Sequence, residues 1–251
     1  MASAPFHADL CIDWFDQLDS TNAQAHREMI AGRLHPGWIA ARRQSAGKGR
    51  RGRTWFSQPG NFMGSFLWPI GQDLAVTRGL ALPIGMAVRS AILELYAGTE
   101  DVRCKWPNDV FIGHGKCAGI LIESCKAQDG AYWGIAGIGV NLVPTPDVTD
   151  RLVASVAEST NNAPAPNAFL DILSRELVIA IRNWPPHDPA QFQRAWQSCA
   201  YGLGSSVTLE DGRRGLFKGI ETTGEASVAL ASGQRLSVQA GDLVFDEVEA
   251  G

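Results

Sequence analysis

From Met29 to Gln72 the chain contains no Asp or Glu, yet that gap holds Arg33, Arg42, Arg43, Lys48, Arg50, Arg51 and Arg53. Six of the seven cations fall between Arg42 and Arg53, the last of them threaded through glycines in GKGRRGR. Such a run is neither a stable helix nor a buried strand. Its glycines lose too much backbone freedom on ordering, and its clustered like charges repel. It has to be an exposed loop, so the elements on either side must fold as separate pieces. The net charge of −4 over 251 residues argues against a chain built wholly to bind polyanions. Charge alone describes a solvated loop. Charge combined with exposed backbone N–H groups also describes a loop that meets phosphate or carboxylate oxygens.

Patterning around the loop is regular. Residues 10–18 read as a strand, and Ser20 or Thr21 as the N-cap of a short helix, NAQAHREMIA, stopped by Gly32. Trp38 to Arg42 and Phe62 to Trp68 read as strands, the second ended by Pro69. Residues 77–97 suit a helix with Leu80, Ile84, Val88, Ala91, Ile92 and Leu95 on one side, Pro83 in its opening turns and Gly98 beyond its end. Val102 to Trp106, Val110 to Ile112 and Cys117 to Ser124 read as strands, the last two joined as a hairpin through Gly113-His114-Gly115-Lys116. Tyr132 to Leu142 is a strand whose Gly134, Gly137 and Gly139 imply close approach by another backbone or a ligand. Residues 144–166 read as a Pro/Asn-rich connection without a core role. Residues 167–184 form the clearest helix, with Phe169, Leu170, Leu173, Leu177, Val178 and Ile181 on one face, and 189–199 form another. After Gly202, Asp211-Gly212, Thr223-Gly224 and Ser232-Gly233 separate short β-type runs, which predicts a small all-β barrel over about 203 to 248. The expectation is an α+β chain with a larger domain over 1–202 and a small one over 203–251.

Several functional classes lose ground at once. The run at Gly47 to Gly52 formally matches GxGxxG, but no helix pattern opens after it and no acidic residue occurs until Asp73. GxxxxGK[ST], HExxH and GxSxG are absent. Five cysteines without a CxxC pair point to reduced thiols, and Cys117 reads as a small buried hydrophobe. No apolar run is long enough to span a bilayer, and the start MASAPFHADLCIDWF lacks a signal-peptide pattern, so the expectation is a cytoplasmic protein without membrane contact. None of the five histidines clusters with Cys or Ser. The Arg-Gly loop with its aromatics keeps a nucleic-acid-binding module open as a reading of another class.

Two further polar clusters stand in apolar frames. In KWPNDVFI, Pro107-Asn108-Asp109 is turn chemistry, while Lys105 sits in a strand where burial without a partner is costly. Asp109 is a carboxylate that could pair Lys105 or hold Mg²⁺ beside a nucleotide. Lys116 stands at the mouth of an apolar strand. Lysines there are commonly solvent-facing gatekeepers, but Ala118-Gly119 leaves room for a ligand.

In order along the chain, Ser20-Thr21-Asn22, Gln44 to Arg53 with Trp55, Lys105 to Asp109, Lys116 to Glu123, and Gly137-Ile138-Gly139-Val140-Asn141 resemble the biotin protein ligases, also called biotin–[acetyl-CoA-carboxylase] ligases. The resemblance spans about residues 15–145, and lipoate–protein ligases fit less well. It implies a mixed-sheet catalytic domain of the biotin/lipoate ligase type with a small C-terminal SH3-like β-barrel. It further implies two steps: biotin and MgATP form biotinyl-5′-AMP and pyrophosphate, then a lysine of a carboxyl-carrier domain takes the biotin and AMP leaves. Lipoate or octanoate transfer is the alternative within the class. Monomer and homodimer both remain open.

Carried over by position, Ser20, Thr21, Asn22 and Gln44 resemble groups that meet the biotin ureido ring, with Gly119, Gly137 and Gly139 where backbone approaches biotin. Lys48, Gly49 and Arg50 resemble a loop that closes over carboxylate and phosphate. Lys116 and Arg50 resemble the catalytic cations, Lys116 bridging the biotin carboxylate and the phosphate. Arg53, Trp55, Asn108 and Asn141 resemble adenylate-binding positions, with Asp109 as the metal candidate. Some relatives have Arg where this chain has Lys48, which keeps the charge but loses the planar fork. Some carry an N-terminal DNA-binding domain. Ser-Thr-Asn at residue 20 leaves no room for one, so the expectation is a ligase without operator binding.

Overall fold

A computed structural model of the chain describes residues 10–32, 35–95, 101–145, 152–160 and 163–246. Gly98 and Arg33 lie outside the described residues. Seven strands form the main sheet: β1 (Cys11–Phe15), β2 (Gly37–Ala41), β3 (Phe62–Gly71), β4 (Val102–Lys105), β5 (Asp109–Ile112), β6 (Gly115–Lys126) and β7 (Tyr132–Val140). Their order is β1-β2-β3-β7-β6-β5-β4, with β1 and β2 parallel and the other neighbours antiparallel. Helices α1 (Thr21–Ile30), α2 (Ala81–Leu95), α3 (Val156–Thr160), α4 (Pro166–Arg182) and α5 (Pro189–Ser198) complete this part.

The two faces of the sheet have different tasks. Side chains alternate along a strand, so Phe62, Phe66 and Trp68 of β3, Ala136, Ile138 and Val140 of β7, and Ala118 and Ile120 of β6 all enter one buried cluster. Ile84, Val88 and Ile92 of α2 and Phe169, Leu173 and Leu177 of α4 close that cluster from above, at the 3.6-residue spacing the sequence shows. The opposite face carries Leu67 and Ile135, which pack against Ala25 and Met29 of α1. Further along the same face lie Ser65, Gly137 and Leu121 in one cross-strand row, then Met63, Gly139 and Gly119 in the next. Ser20 caps α1 by accepting from the Ala23 N–H, which fixes the helix start beside those rows.

The tail forms a second, antiparallel sheet of β8 (Ser206–Thr208), β9 (Arg214–Ile220), β10 (Ala226–Leu230), β11 (Arg235–Val238) and β12 (Val244–Phe245), in the order β11-β10-β9-β8-β12. Its inner side shares a buried cluster with α5, the start of α2 and the β4 end of the first sheet: Val207, Phe217 and Val228 pack with Trp196, Leu82, Cys104 and Trp106. Gly212, Gly224 and Gly233 take the positive φ their turns require.

Three expectations change. Pro69 does not end its strand. β2 pairs with β3 only as far as Leu67, so the missing N–H of Pro69 costs no bond there, and β3 runs on beside Trp133 to Gly71. The helix expected over 77–97 begins at Ala81, after a short 3₁₀ turn over Leu74–Thr77, which leaves Pro83 in the first turn where its lack of an N–H is tolerated. The connection 144–166 does have a core role: Ser155 and Val156 are buried, and the Lys116 N–H donates to Leu152 O at 3.0 Å.

Phe169 is fully buried against Phe62, so Phe169→Ala is expected to cost about 3–5 kcal/mol of unfolding free energy, read by urea denaturation. Burial pushes the Cys117 thiol up to about 12, whereas Cys11 is exposed. Iodoacetamide at pH 8 should therefore label Cys11 and spare Cys117 in the native protein, as read by peptide mass mapping.

Candidate active site

Every site residue named from the sequence except Asp109 lines one cavity of about 480 Å³ on the α1 face of the sheet: Ser20, Thr21, Asn22, Gln44, Lys48, Gly49, Arg50, Arg53, Trp55, Asn108, Lys116, Gly119, Gly137, Gly139 and Asn141. Asp109 is tied in through Lys116, whose Nζ donates to Asp109 Oδ1 at 2.6 Å. This pairing corrects one expectation. The partner of Asp109 is Lys116, and Lys105 instead lies over the rings of Phe111 and Phe245, at 5.1 and 5.5 Å.

One end of the site is uncharged and polar. The Thr21 backbone N–H donates to Gln44 Oε1 at 2.8 Å, and the Thr21 hydroxyl lies 3.2 Å from the same oxygen. Gln44 Nε2 in turn donates to Ser57 Oγ at 3.2 Å. Thr21 and Asn22 are buried, and Ser65, which the sequence reading did not single out, lies beneath them fully buried. Its hydroxyl is 2.7 Å from Thr21 Oγ1 and 2.5 Å from Asn22 Oδ1. The room for Asn22 comes from Gly137, where a Cβ would stand 2.4 Å from Asn22 Oδ1.

The other end is cationic. Loop 47–55 is a tight hairpin: the Gly49 N–H donates to Arg53 O and the Trp55 N–H to Gly47 O, with Arg51 at φ +58 at its tip. Its return strand lays the Trp55 indole on the sheet, where a Cβ at Gly139 would stand 2.3 Å from the ring. Lys116 Nζ is 5.7 Å from the centroid of that ring. Trp55 Nε1 is buried and finds no acceptor among the described residues. Protein side chains thus lie over two of these glycines, Asn22 over Gly137 and Trp55 over Gly139.

The amides of Asn108 and Asn141 are held in place by the backbone. Asn108 Nδ2 donates to Ile120 O at 2.7 Å, and its Oδ1 accepts from Arg50 Nη1 at 3.1 Å. Asn141 Nδ2 lies 3.4 Å from Lys116 O and 3.3 Å from Ala154 O, so it joins the Lys116 strand to the segment before α3.

The loop arginines are turned onto carboxylates of the second sheet. Arg50 Nη1 is 3.4 Å and Arg53 Nη1 3.0 Å from Asp242, and Arg51 forms a two-point pair with Glu210. The hydrogen bonds from Arg51 hold the Glu210 carboxyl below the usual carboxylate range, helped by the Asp242 N–H. Glu210 and Asp242 carry no motif, and nothing local in the sequence marks them.

The model of the biotin/lipoate A/B protein ligase family matches residues 14–141. The chain belongs to that family. A biotin–[acetyl-CoA-carboxylase] ligase of Paracoccus denitrificans is 33% identical to it over 236 residues, covering 90% of this chain and 97% of the relative. A bifunctional ligase/repressor of Escherichia coli (strain K12) is 31% identical and covers 72% of this chain, which spans 58% of that protein. Within the family the chain therefore stands with the biotin ligases. The fold agrees: a biotin protein ligase from Aquifex aeolicus in complex with biotin and ATP superposes with a TM-score of 0.80 at 24% identity, covering 94% of this chain and 99% of that one.

Removing the carboxylates that hold the loop should free it. In Glu210→Gln/Asp242→Asn, trypsin is expected to cleave after Arg50, Arg51 and Arg53 several-fold faster than in the parent, while the melting temperature moves little, because exposed pairs contribute only about 0–1 kcal/mol each.

Proposed function

We propose that this chain activates biotin with ATP to biotinyl-5′-AMP and passes the biotin to a lysine of a carboxyl-carrier domain. The observation that carries the reading is that one cavity has an uncharged hydrogen-bonding end and a cationic end, with the Trp55 indole beside Lys116 at the latter. Biotin has the matching shape: a neutral urea at one end and a carboxylate at the other. The urea meets Ser20, Thr21, Asn22 and Gln44, whose hydroxyls and amides are suitable partners.

A carboxylate approaching the α-phosphate of ATP is repelled by charge, so cations must gather both. Lys116 bridges the biotin carboxylate and the phosphate, giving up Asp109 as its partner while they are bound. Lys48, Gly49, Arg50 and Arg53 follow the triphosphate, with guanidiniums exchanging Asp242 for phosphate oxygens. Trp55, Asn108 and Asn141 shape the adenylate side, and Gly119, Gly137 and Gly139 keep the floor low. The enzyme contributes alignment and charge rather than a nucleophile. The attacking carboxylate oxygen bonds to the α-phosphorus as pyrophosphate leaves. The carrier lysine amine then attacks the acyl carbon, and AMP leaves.

The residues present do not make a protein cage for Mg²⁺. Among the described residues no three His, Cys, Asp or Glu groups come together, and Asp109 is already engaged by Lys116. A Mg²⁺ supplied with ATP is held chiefly by phosphate and water, the usual arrangement for this ion. No helix among the described residues is long and apolar enough to cross a membrane. We take 203–251, which holds the second sheet, as a small domain whose carboxylates steady the loop.

The protein should catalyse ATP–pyrophosphate exchange that depends on biotin. Exchange supported by lipoate or octanoate and not by biotin would move it to the other branch of the family. Lys116→Ala should lower the exchange rate by about 10²-fold or more, far more than it lowers stability; an unchanged rate would remove Lys116 from the mechanism. Biotin plus ATP should protect loop 44–55 from trypsin, and equal cleavage with and without them would count against a closing loop.

A further inference from the structure

The polar end of the cavity continues below its lining residues as a chain of hydrogen bonds, and the chain has a forced direction. Asn22 Nδ2 donates to Glu123 Oε2 at 2.7 Å, and the His26 imidazole stands 3.5 Å from the same carboxylate oxygen. An ionised carboxylate only accepts, so Asn22 must present its NH₂ to Glu123 and therefore its carbonyl oxygen to Ser65. Ser65 has one hydroxyl proton and two oxygen neighbours, Asn22 Oδ1 at 2.5 Å and Thr21 Oγ1 at 2.7 Å. An amide oxygen cannot donate, so the Ser65 proton goes to Asn22, and Thr21 must donate its own proton to Ser65.

That leaves Thr21 Oγ1 facing the cavity with lone pairs only. Gln44 Oε1 lies 3.2 Å away and is also an acceptor, because the Thr21 backbone N–H at 2.8 Å fixes which end of the Gln44 amide lies there. Two acceptor oxygens without a proton between them repel, and a ligand N–H relieves both at once. The same chain offers nothing to a ligand carbonyl at that point.

We propose that Glu123 is a positioning residue: its carboxylate sets the direction of the Asn22–Ser65–Thr21 chain, so that Thr21 and Gln44 together select a ligand N–H. The proposal rests on the reading of this end as the urea site, and it assigns to Glu123 the choice of a urea N–H over a carbonyl there. The sheet supplies the geometry. Ser65, Gly137 and Leu121 stand in one cross-strand row, with Glu123 two residues beyond Leu121 on the same face of β6. Asn22 therefore reaches from Ser65 to Glu123 across Gly137, where any Cβ would collide with it.

The test is biotin binding to the full chain by calorimetry, with the KM for biotin and kcat of ATP–pyrophosphate exchange. Glu123→Gln offers an amide that can donate, so the chain loses its imposed direction. The dissociation constant and KM for biotin should rise about tenfold, with kcat nearly retained, as expected when the buried Ser65–Asn22 hydrogen bond loses its imposed direction. A second route uses Ser65→Ala, which cuts the chain; in that background Glu123→Gln should add no further loss. Parent-like binding by Glu123→Gln, or a loss from it that persists undiminished in the Ser65→Ala background, overturns the proposal while leaving biotin as the substrate. A parent chain that binds lipoate and not biotin overturns the substrate reading first, and this inference with it.

Discussion

Gly137 and Gly139 leave the middle of β7 without a Cβ on its α1 face, and the rest of the site depends on that bare strip. Asn22 lies over one and Trp55 over the other, at distances a Cβ would forbid. Because β7 runs between β3 and β6, the strip is flanked by Ser65 on one side and by Gly119 and Leu121 on the other. The opposite face of the same strands is packed with Phe62, Phe66 and Ile138 under α2 and α4. A sheet braced on one face in this way can keep the other low and polar without losing its shape, since large buried side chains contribute most of the stabilisation.

Electrostatics ties the site to the second sheet. The local excess of positive charge is balanced by carboxylates distant in the chain: Asp242 takes Arg50 and Arg53, and Glu210 takes Arg51. Within the first sheet, Asp109 takes Lys116 in the same way. Among the described residues, each cation that the proposed chemistry directs at an anion is thus already paired with a protein carboxylate, except Lys48, which is exposed at the cavity rim. Exchange of one anion for another changes little net charge, which lets a charged loop order around a ligand without exposing unpaired guanidiniums.

Much of this architecture is legible in the chain. The α2 and α4 faces follow from apolar spacing, the hairpin at Gly113 and the tail turns from Gly at positions of positive φ, and the loop from glycine and charge. Other features were not legible because their causes are not local. Pro69 continues a strand only because β2 happens to stop at Leu67. Val156 belongs to the core because Asn141 and Lys116 draw its segment onto the sheet. Ser65, Glu123, Glu210 and Asp242 are ordinary polar residues until the fold brings them to Thr21, Asn22, Arg51 and Arg50.

The sequence by itself determined which segments are strands, helices and loops, and which residue types are available for anions and for a urea. Local periodicity and turn chemistry act over a few residues, and those are written consecutively. Only the tertiary structure decided partnership: that Lys116 pairs with Asp109 rather than Asp109 with Lys105, that Trp55 rests on Gly139, and that one chain of hydrogen bonds runs from Thr21 to Glu123. Hydrogen-bond direction and ion pairing depend on which groups lie within about 3 Å, and sheet register sets that across a hundred residues of chain.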